Sequence, residues 1–223
     1  MIVATSNPNK AREFAALLPG VEVLPMPDGI ELPEETGTTF EENARLKAFS
    51  VRDQLLALPG SPVAVAAGEA GARGGAAAPE GGAAAPEGGA GDVWVMADDS
   101  GLEVDALGGR PGIHSARYAG EDATDHDNVD RLLAELAGVK DRRARFVCVL
   151  VCVSAAGRER VARGDFEGTI AEAPRGGWGF GYDPVFIPLG KKLTVSEIPA
   201  EEKNRISHRA RAAHSLLAQL RGG

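Results

Sequence analysis

Cysteine, tryptophan and tyrosine occur only twice each in the 223 residues, and aromatic residues make up just 5% of the chain. Two cysteines allow one disulfide at most, which excludes a disulfide-stapled secreted scaffold. Cys148 and Cys152 stand four apart in the apolar run RFVCVLVCV. On a strand both point to one face, where they read as small core residues. Positive charge is not in excess either: 24 Lys and Arg against 32 Asp and Glu give a net charge of −8. A general nucleic-acid backbone binder needs a basic face, so no nucleic-acid partner is expected, whereas a small anionic ligand needs only local positive charge. No apolar run has the length of a membrane span, and no signal peptide or lipidation motif is present. The expectation is therefore no membrane partner and a cytoplasmic location. Two phosphate-binding signatures, GxxxxGK[ST] and GxGxxG, are also missing. What the chain does have is 43% hydrophobic residues, enough to bury a core as one large or two modest domains.

The segment at about 59–91 contains GGAAAPE twice in tandem and has no aromatic residue. Such a composition buries too little apolar surface to offset chain entropy, so the segment is expected to be a disordered surface insertion. Outside it, strand and helix patterns alternate. MIVAT reads as a strand, followed by a helix with Asn7 at its cap, Pro8 at its first position and Ala11, Phe14, Leu17 and Leu18 on its apolar face. A second helix starts with a Thr39 to Glu42 capping box and carries Phe40, Ala44, Ala48, Val51 and Leu55. VWVMA is a central strand, and LEVDAL is a separate strand after a turn at Ser100-Gly101. A helix follows from residue 124 to 136, with Asp127 completing its cap and Gly138 stopping it. ARFVCVLVCV and RERVARGDFEGTI pair antiparallel, VFIP is a short strand, and residues 199–220 form two helices with Ser207 capping the second. The pattern describes an α/β protein whose sheet has antiparallel parts.

Four stretches can carry chemistry. TSNPNK (residues 5–10) joins a strand end to a helix start, where free N–H groups, the helix dipole and Lys10 make a phosphate seat in outline, or simply a capped helix with an exposed lysine. In VMADDSG, Asp98 and Asp99 are expected just beyond a strand end, where open α/β sheets place ligands. Because side chains alternate, only one of the pair should face a ligand. Glu34 and Glu35, on the PEETG loop, bring further carboxylates. Such a set suits Mg²⁺, which takes few protein ligands and completes its shell with water and phosphate oxygens, although a solvated acidic turn fits the same residues. A phosphoaspartate site of the DxD type is excluded, since here the aspartates are adjacent. In GGWGFGYDP, glycines allow close backbone approach while Phe180 or Tyr182 stacks on a planar base and Asp183 accepts from a ring N–H; alternatively the aromatics plug the core. Finally, Lys203, Arg205, His208, Arg209 and Arg211 form a basic patch in an acidic chain. His114 and His126 have no such company.

Taken in order, TSNPNKAREF, PEETGTTFEENARLKA, ADDSGLEVDALGGRPGIHSARYAGEDATD, FEGTIAEAP, GGWGFGYDP and SEIPAEEKNRISHRARA resemble the inosine triphosphate pyrophosphatase family over most of the chain except the insertion. The resemblance implies an elongated mixed α/β sheet flanked by helices, in two lobes with a central cleft, built as a single domain over residues 1–223. It implies hydrolysis of ITP, dITP and XTP to the monophosphate and pyrophosphate with Mg²⁺, by a homodimer. Position by position, it implies that Thr5, Ser6, Asn7, Pro8, Asn9 and Lys10 bind the triphosphate, with Lys10 offsetting charge during the reaction. Glu35 and Asp99 would hold the metal, with Asp99 also the general base, while Asp98 is a weaker candidate. Ser100 would contact substrate. Phe180, Gly181, Tyr182 and Asp183 would hold the base, Lys203 the base or phosphates, and His208 and Arg209 the 6-oxo edge. Donors committed to a 6-oxo group go unpaired against adenine, which is worth up to ~10⁴-fold in discrimination. Two other readings use the same residues: a pyrophosphatase for modified pyrimidines or ordinary dNTPs, and a non-catalytic nucleotide-binding module. The insertion enters at the start of the VWVMA strand, so it is expected to leave the cleft alone.

Overall fold

The structure, a computed structural model, describes residues 1–73, 93–177 and 180–222. Its sheet is mixed. The order is β2 (Leu24–Pro25), β1 (Ile2–Val3), β3 (Trp94–Val104), β5 (Arg143–Ser154), β6 (Glu159–Ile170) and β7 (Phe186–Pro188), with β4 (Pro111–Gly112) paired to the outer end of β3. β1 runs parallel to both β2 and β3, and every other pairing is antiparallel.

Residue alternation sets the layers. Val95 and Ala97 of β3 and Val147, Val149, Val151 and Val153 of β5 pack beneath α2 (Phe40–Ala57) and α3 (Pro62–Arg73). Met96, Cys148, Leu150 and Cys152 face the other way, against α1 (Pro8–Leu17) and α6 (His208–Arg221). Both cysteines are therefore free, buried core residues on one face, as their spacing implied. Beyond Ser100 a third cluster takes over, with Leu102, Val104, Phe146 and Phe166 packed on α4 (Asp125–Glu135) and β7. The long strands β3, β5 and β6 thus run from a two-sided helical layer into a separate distal core.

The helix signals act as their chemistry suggests. All five apolar positions expected on α2 are buried. Thr39 caps α2 by accepting from the Glu42 N–H at 3.1 Å, and the Glu42 carboxylate reaches back to accept from the Thr38 N–H at 2.6 Å. Thr124 and Asp127 form a complete capping box on α4. Ser207 separates α5 (Ala200–Ile206) from α6 and caps the latter through the Ala210 N–H.

Two expectations fail. ADDSG is not a strand end followed by a turn: β3 runs unbroken through it, with Asp98 opposite Leu150, Asp99 opposite Val149 and Ser100 opposite Cys148. Gly101 serves close approach instead of a turn, because a Cβ there would meet the Gly112 carbonyl, Ser115 Oγ at 2.6 Å and Phe40 at 2.9 Å. The supposed insertion also begins too early. Residues 62–73 form α3, started by Ser61, whose hydroxyl accepts from the Ala64 N–H at 3.0 Å, and anchored by the fully buried Val63. Ser61 before Pro62 is a helix-start signal that the Ala- and Gly-rich composition masked. The remainder of the expected insertion lies outside the described residues.

Candidate active site

β1 is only two residues long, so beyond it the middle of β3 has no strand partner on that side among the described residues, and α1 begins there instead. Into this gap β3 presents Asp98 and Asp99 on opposite faces. Asp98 turns towards α1 and α6. Its carboxylate is buried and takes Lys10 Nζ at 3.0 and 3.2 Å and Ser100 Oγ at 3.3 Å. Burial alone would raise its pKa, but the charges of Lys10 and Arg209 overcome that, and the carboxyl is held well below the usual carboxylate range.

Asp99 turns towards α2, where Asn43 Nδ2 donates to Oδ2 at 3.2 Å and Lys47 Nζ stands 3.5 Å from Oδ1. Lys47 also donates to Glu35 Oε1 at 2.9 Å. Burial, assisted by the nearby Glu35 and Asp98 charges, pushes the Asp99 pKa up to about 6 despite Lys47 and Asn43. Two adjacent aspartates thus have opposite characters: Asp98 is a locked counter-ion, and Asp99 is a carboxylate able to take up a proton near neutrality.

One cavity of about 210 Å³ holds Lys10, Glu35, Lys47, Asp99 and Ser100 at one end and Phe180, Tyr182, Asp183, Lys203, His208 and Arg209 at the other. An adjoining recess of about 310 Å³ adds Asn7 and Glu13. A larger concavity of about 760 Å³, lined by Thr38, Arg45, Gly109 and Arg163, lies on the α2 side of the distal sheet and gathers none of these groups. Chemistry, not volume, selects the smaller cleft.

The second end of the cleft is equally organised. Phe180 is 60% exposed and lies 6.0 Å from the Arg209 guanidinium. Tyr182 is buried, its hydroxyl donating to the Ser115 carbonyl at 2.8 Å, so of the two aromatics only Phe180 is free to stack. The Gly181 N–H is held by Asp125 at 2.7 Å. Asp183 is buried and salt-bridged to Lys203, which satisfies the carboxylate expected to accept from a base. The His208 ring stacks on Phe146 at 5.1 Å, and burial together with the Arg209 and Lys203 charges keeps its pKa well below that of a free imidazole. Arg209 is oriented by Glu13 at 3.0 Å. His208 Nδ1 and Arg209 Nε are buried and have no hydrogen-bond partner among the described residues, so each has bonding capacity left for a ligand.

Several sequence candidates divide here. Thr5 and Ser6 lie in the turn into α1, where the Thr5 hydroxyl accepts from the Asn7 N–H at 3.1 Å, and Pro8 and Asn9 are the first two residues of that helix. Glu34 is exposed on its loop while Glu35 reaches the cleft. The basic patch splits: Lys203, His208 and Arg209 line the cleft, whereas Arg211 bonds the Ile206 and Asp165 carbonyls and Arg205 is exposed. Trp178 and Gly179 lie outside the described residues. Asn43, Lys47, Glu13 and Asp125 escaped the sequence reading. The signal for the first two was present, since residues 40, 43, 44, 47, 48 and 51 form one helical stripe in which Asn43 and Lys47 are the polar members.

Fold and cleft together define an α/β protein with a charged cleft across the middle of a mixed sheet. Within that class the chain belongs to the Ham1 family, whose model matches residues 1–219. It is 44% identical to the dITP/XTP pyrophosphatase of Methylococcus capsulatus, across 99% of this chain and 96% of that protein. It is 43% identical to the dITP/XTP pyrophosphatase of Bacillus subtilis, across 98% and 96%. Among solved structures, the Ham1 protein of Staphylococcus aureus superposes with a TM-score of 0.77 at 36% identity, covering 99% of this chain and 97% of that one.

Proposed function

We infer that this protein hydrolyses non-standard purine nucleoside triphosphates, ITP, dITP and XTP, to the monophosphate and pyrophosphate. The Methylococcus capsulatus and Bacillus subtilis relatives are named dITP/XTP pyrophosphatases, and one observation ties such an activity to this chain. A single cleft joins a cation-and-carboxylate end to an end with an exposed aromatic ring and two unsatisfied buried nitrogens. The first suits a triphosphate and the second a base with a polar edge. We also propose, as the resemblance to the inosine triphosphate pyrophosphatase family implies, that it acts in the cytosol as a homodimer of a single two-lobed domain.

Mg²⁺ fits the first end. Glu35 and Asp99 already converge on one cation, the Lys47 ammonium, from two separate elements, and hard carboxylate oxygens in small number are what Mg²⁺ takes when phosphate and water complete its shell. When bound, Mg²⁺ would neutralise phosphate charge and make a water molecule more acidic. The chain's own residues do the rest. Asp99 stands ready to accept a proton from the attacking water. Lys10, pinned by Asp98 at the start of α1, presents a fixed positive charge to the phosphates, reinforced by the positive end of that helix dipole. At the other end Phe180 stacks on the base. The neutral His208 and the guanidinium of Arg209 offer hydrogen bonds to its 6-oxo edge, where adenine, with an amino group, would leave the donors unpaired.

The test is the product. With ITP and Mg²⁺, phosphorus NMR should show IMP and pyrophosphate, Mg²⁺ omission should stop turnover, and Asp99→Asn should lower kcat by about 10²-fold or more. Formation of IDP and inorganic phosphate, or an unaffected Asp99→Asn protein, would overturn the reading.

A further inference from the structure

Lys47 occupies an unusual place for a helical lysine. It is 7% exposed, and its ammonium lies between the two carboxylates assigned to the metal, 2.9 Å from Glu35 and 3.5 Å from Asp99. Resting on the reading above, we propose that Lys47 is a built-in counter-ion that occupies the metal site of the nucleotide-free protein, so that the site accepts a divalent ion only when that ion arrives with a triphosphate.

Three observations support this. An ammonium and a divalent cation would draw on the same oxygens, Glu35 Oε1 and Asp99 Oδ1. The frame around these oxygens is fixed: Asn43, one turn before Lys47 on α2, donates to Asp99 Oδ2 at 3.2 Å and accepts from the Gly37 N–H of the Glu35 loop at 2.8 Å. One buried amide thereby ties the loop that carries Glu35 to the strand that carries Asp99. Among the described residues, moreover, no group of three or more His, Cys, Asp or Glu side chains gathers to hold a metal ion. Two protein carboxylates already satisfied by an ammonium offer a bare divalent ion little, whereas phosphate oxygens supply the missing ligands. The choice of lysine suits the role. A single ammonium on a four-carbon stem can leave the carboxylates by rotamer change, and the triphosphate that brings the metal provides new oxygens for it.

The consequence is a preference for the metal–nucleotide complex over either component alone. It also suppresses futile loading of the site by divalent ions when substrate is scarce.

The test reads metal binding without nucleotide. Mn²⁺ is titrated into the full-length protein at pH 8, and free ion is followed by electron paramagnetic resonance. Wild type should bind weakly. Lys47→Met should bind at least about tenfold more tightly, because removing a unit charge a few ångströms from the ligand oxygens relieves a repulsion larger than that factor. Lys47→Arg, which keeps the charge, should show no such gain, and adding Glu35→Gln to Lys47→Met should abolish it. Lys47→Gln carries the same expectation and serves if the Met variant does not melt cooperatively. Equal or weaker Mn²⁺ binding in the uncharged variants, or a gain that survives Glu35→Gln, would overturn the proposal. Because no substrate is present, failure here is distinct from failure of the hydrolytic reading, which is judged by the products of ITP turnover.

Discussion

The Lys10–Asp98 pair links stability to the site, and Asp98→Asn measures it. The substitution keeps the shape of the side chain and removes its charge. In the wild type, Lys10 Nζ is 3.0 Å from a carboxylate whose side chain is 2% exposed, while the lysine side chain is 26% exposed. At an effective dielectric of about 20 such a contact is worth roughly 5 kcal/mol of Coulomb energy. The cost of burying the carboxylate returns part of that, and the lysine, a quarter open to water, recovers some hydration when its partner is lost. A net loss of about 2–3 kcal/mol is expected, which for a chain of this length lowers Tm by roughly 5–10 °C. The pH dependence is a second signature. The Asp98 pKa is lower folded than unfolded, so its contribution is present above about pH 4 and disappears as pH falls further; the gap between wild type and Asp98→Asn should narrow on acidification. Calorimetry at pH 7 and at pH values down to 4 or below provides the comparison. A drop below about 2 °C at pH 7, or a gap that widens in acid, would refute the claim that Asp98 is a locked counter-ion.

Two further substitutions probe α6. A methyl group at Gly164 would collide with the His208 carbonyl and the Ala212 amide across the α6–β6 contact, so Gly164→Ala should cost about 3 kcal/mol and raise KM for ITP; an unchanged melt would contradict the packing. His208 has a folded pKa below its unfolded value of about 6.5, so it favours the folded state above that pH and opposes it as pH falls below, by up to about 1.4 kcal/mol per pH unit. His208→Gln should therefore flatten the fall of Tm between pH 7 and 5, and parallel curves for the two proteins would show that the ring is free to protonate.

Most of the fold was legible because its elements obey local rules. The β-branched run of β5 alternates between two helical layers, and Thr124, Asp127 and Ser207 cap where their chemistry suggests. The passage of β3 through ADDSG was not legible, since two adjacent carboxylates inside a strand look untenable until their partners are known. Those partners, Lys10 and Lys47, come from helices 88 and 52 residues away in sequence, and no local pattern announces them. α3 was hidden for the opposite reason. Its composition matches that of a flexible tract, and only the docking of Val63 and the Ser61 cap distinguish it. At the site, residue types located the cleft, but pairing decided roles. Asp183 is engaged by Lys203, and Tyr182 is tied into the distal core, which leaves Phe180, His208 and Arg209 as the groups proposed to meet the base.

The central claim is that one end of this cleft reads a 6-oxopurine while the other splits its triphosphate. The ratio of kcat/KM for ITP to that for ATP tests it most directly, measured by pyrophosphate release for the wild type and for Arg209→Ala. The wild type should favour ITP by about 10³-fold or more, and Arg209→Ala should reduce that ratio mainly by losing ITP turnover. Equal rates on ITP and ATP in the wild type, or a ratio untouched by the substitution, would contradict the account.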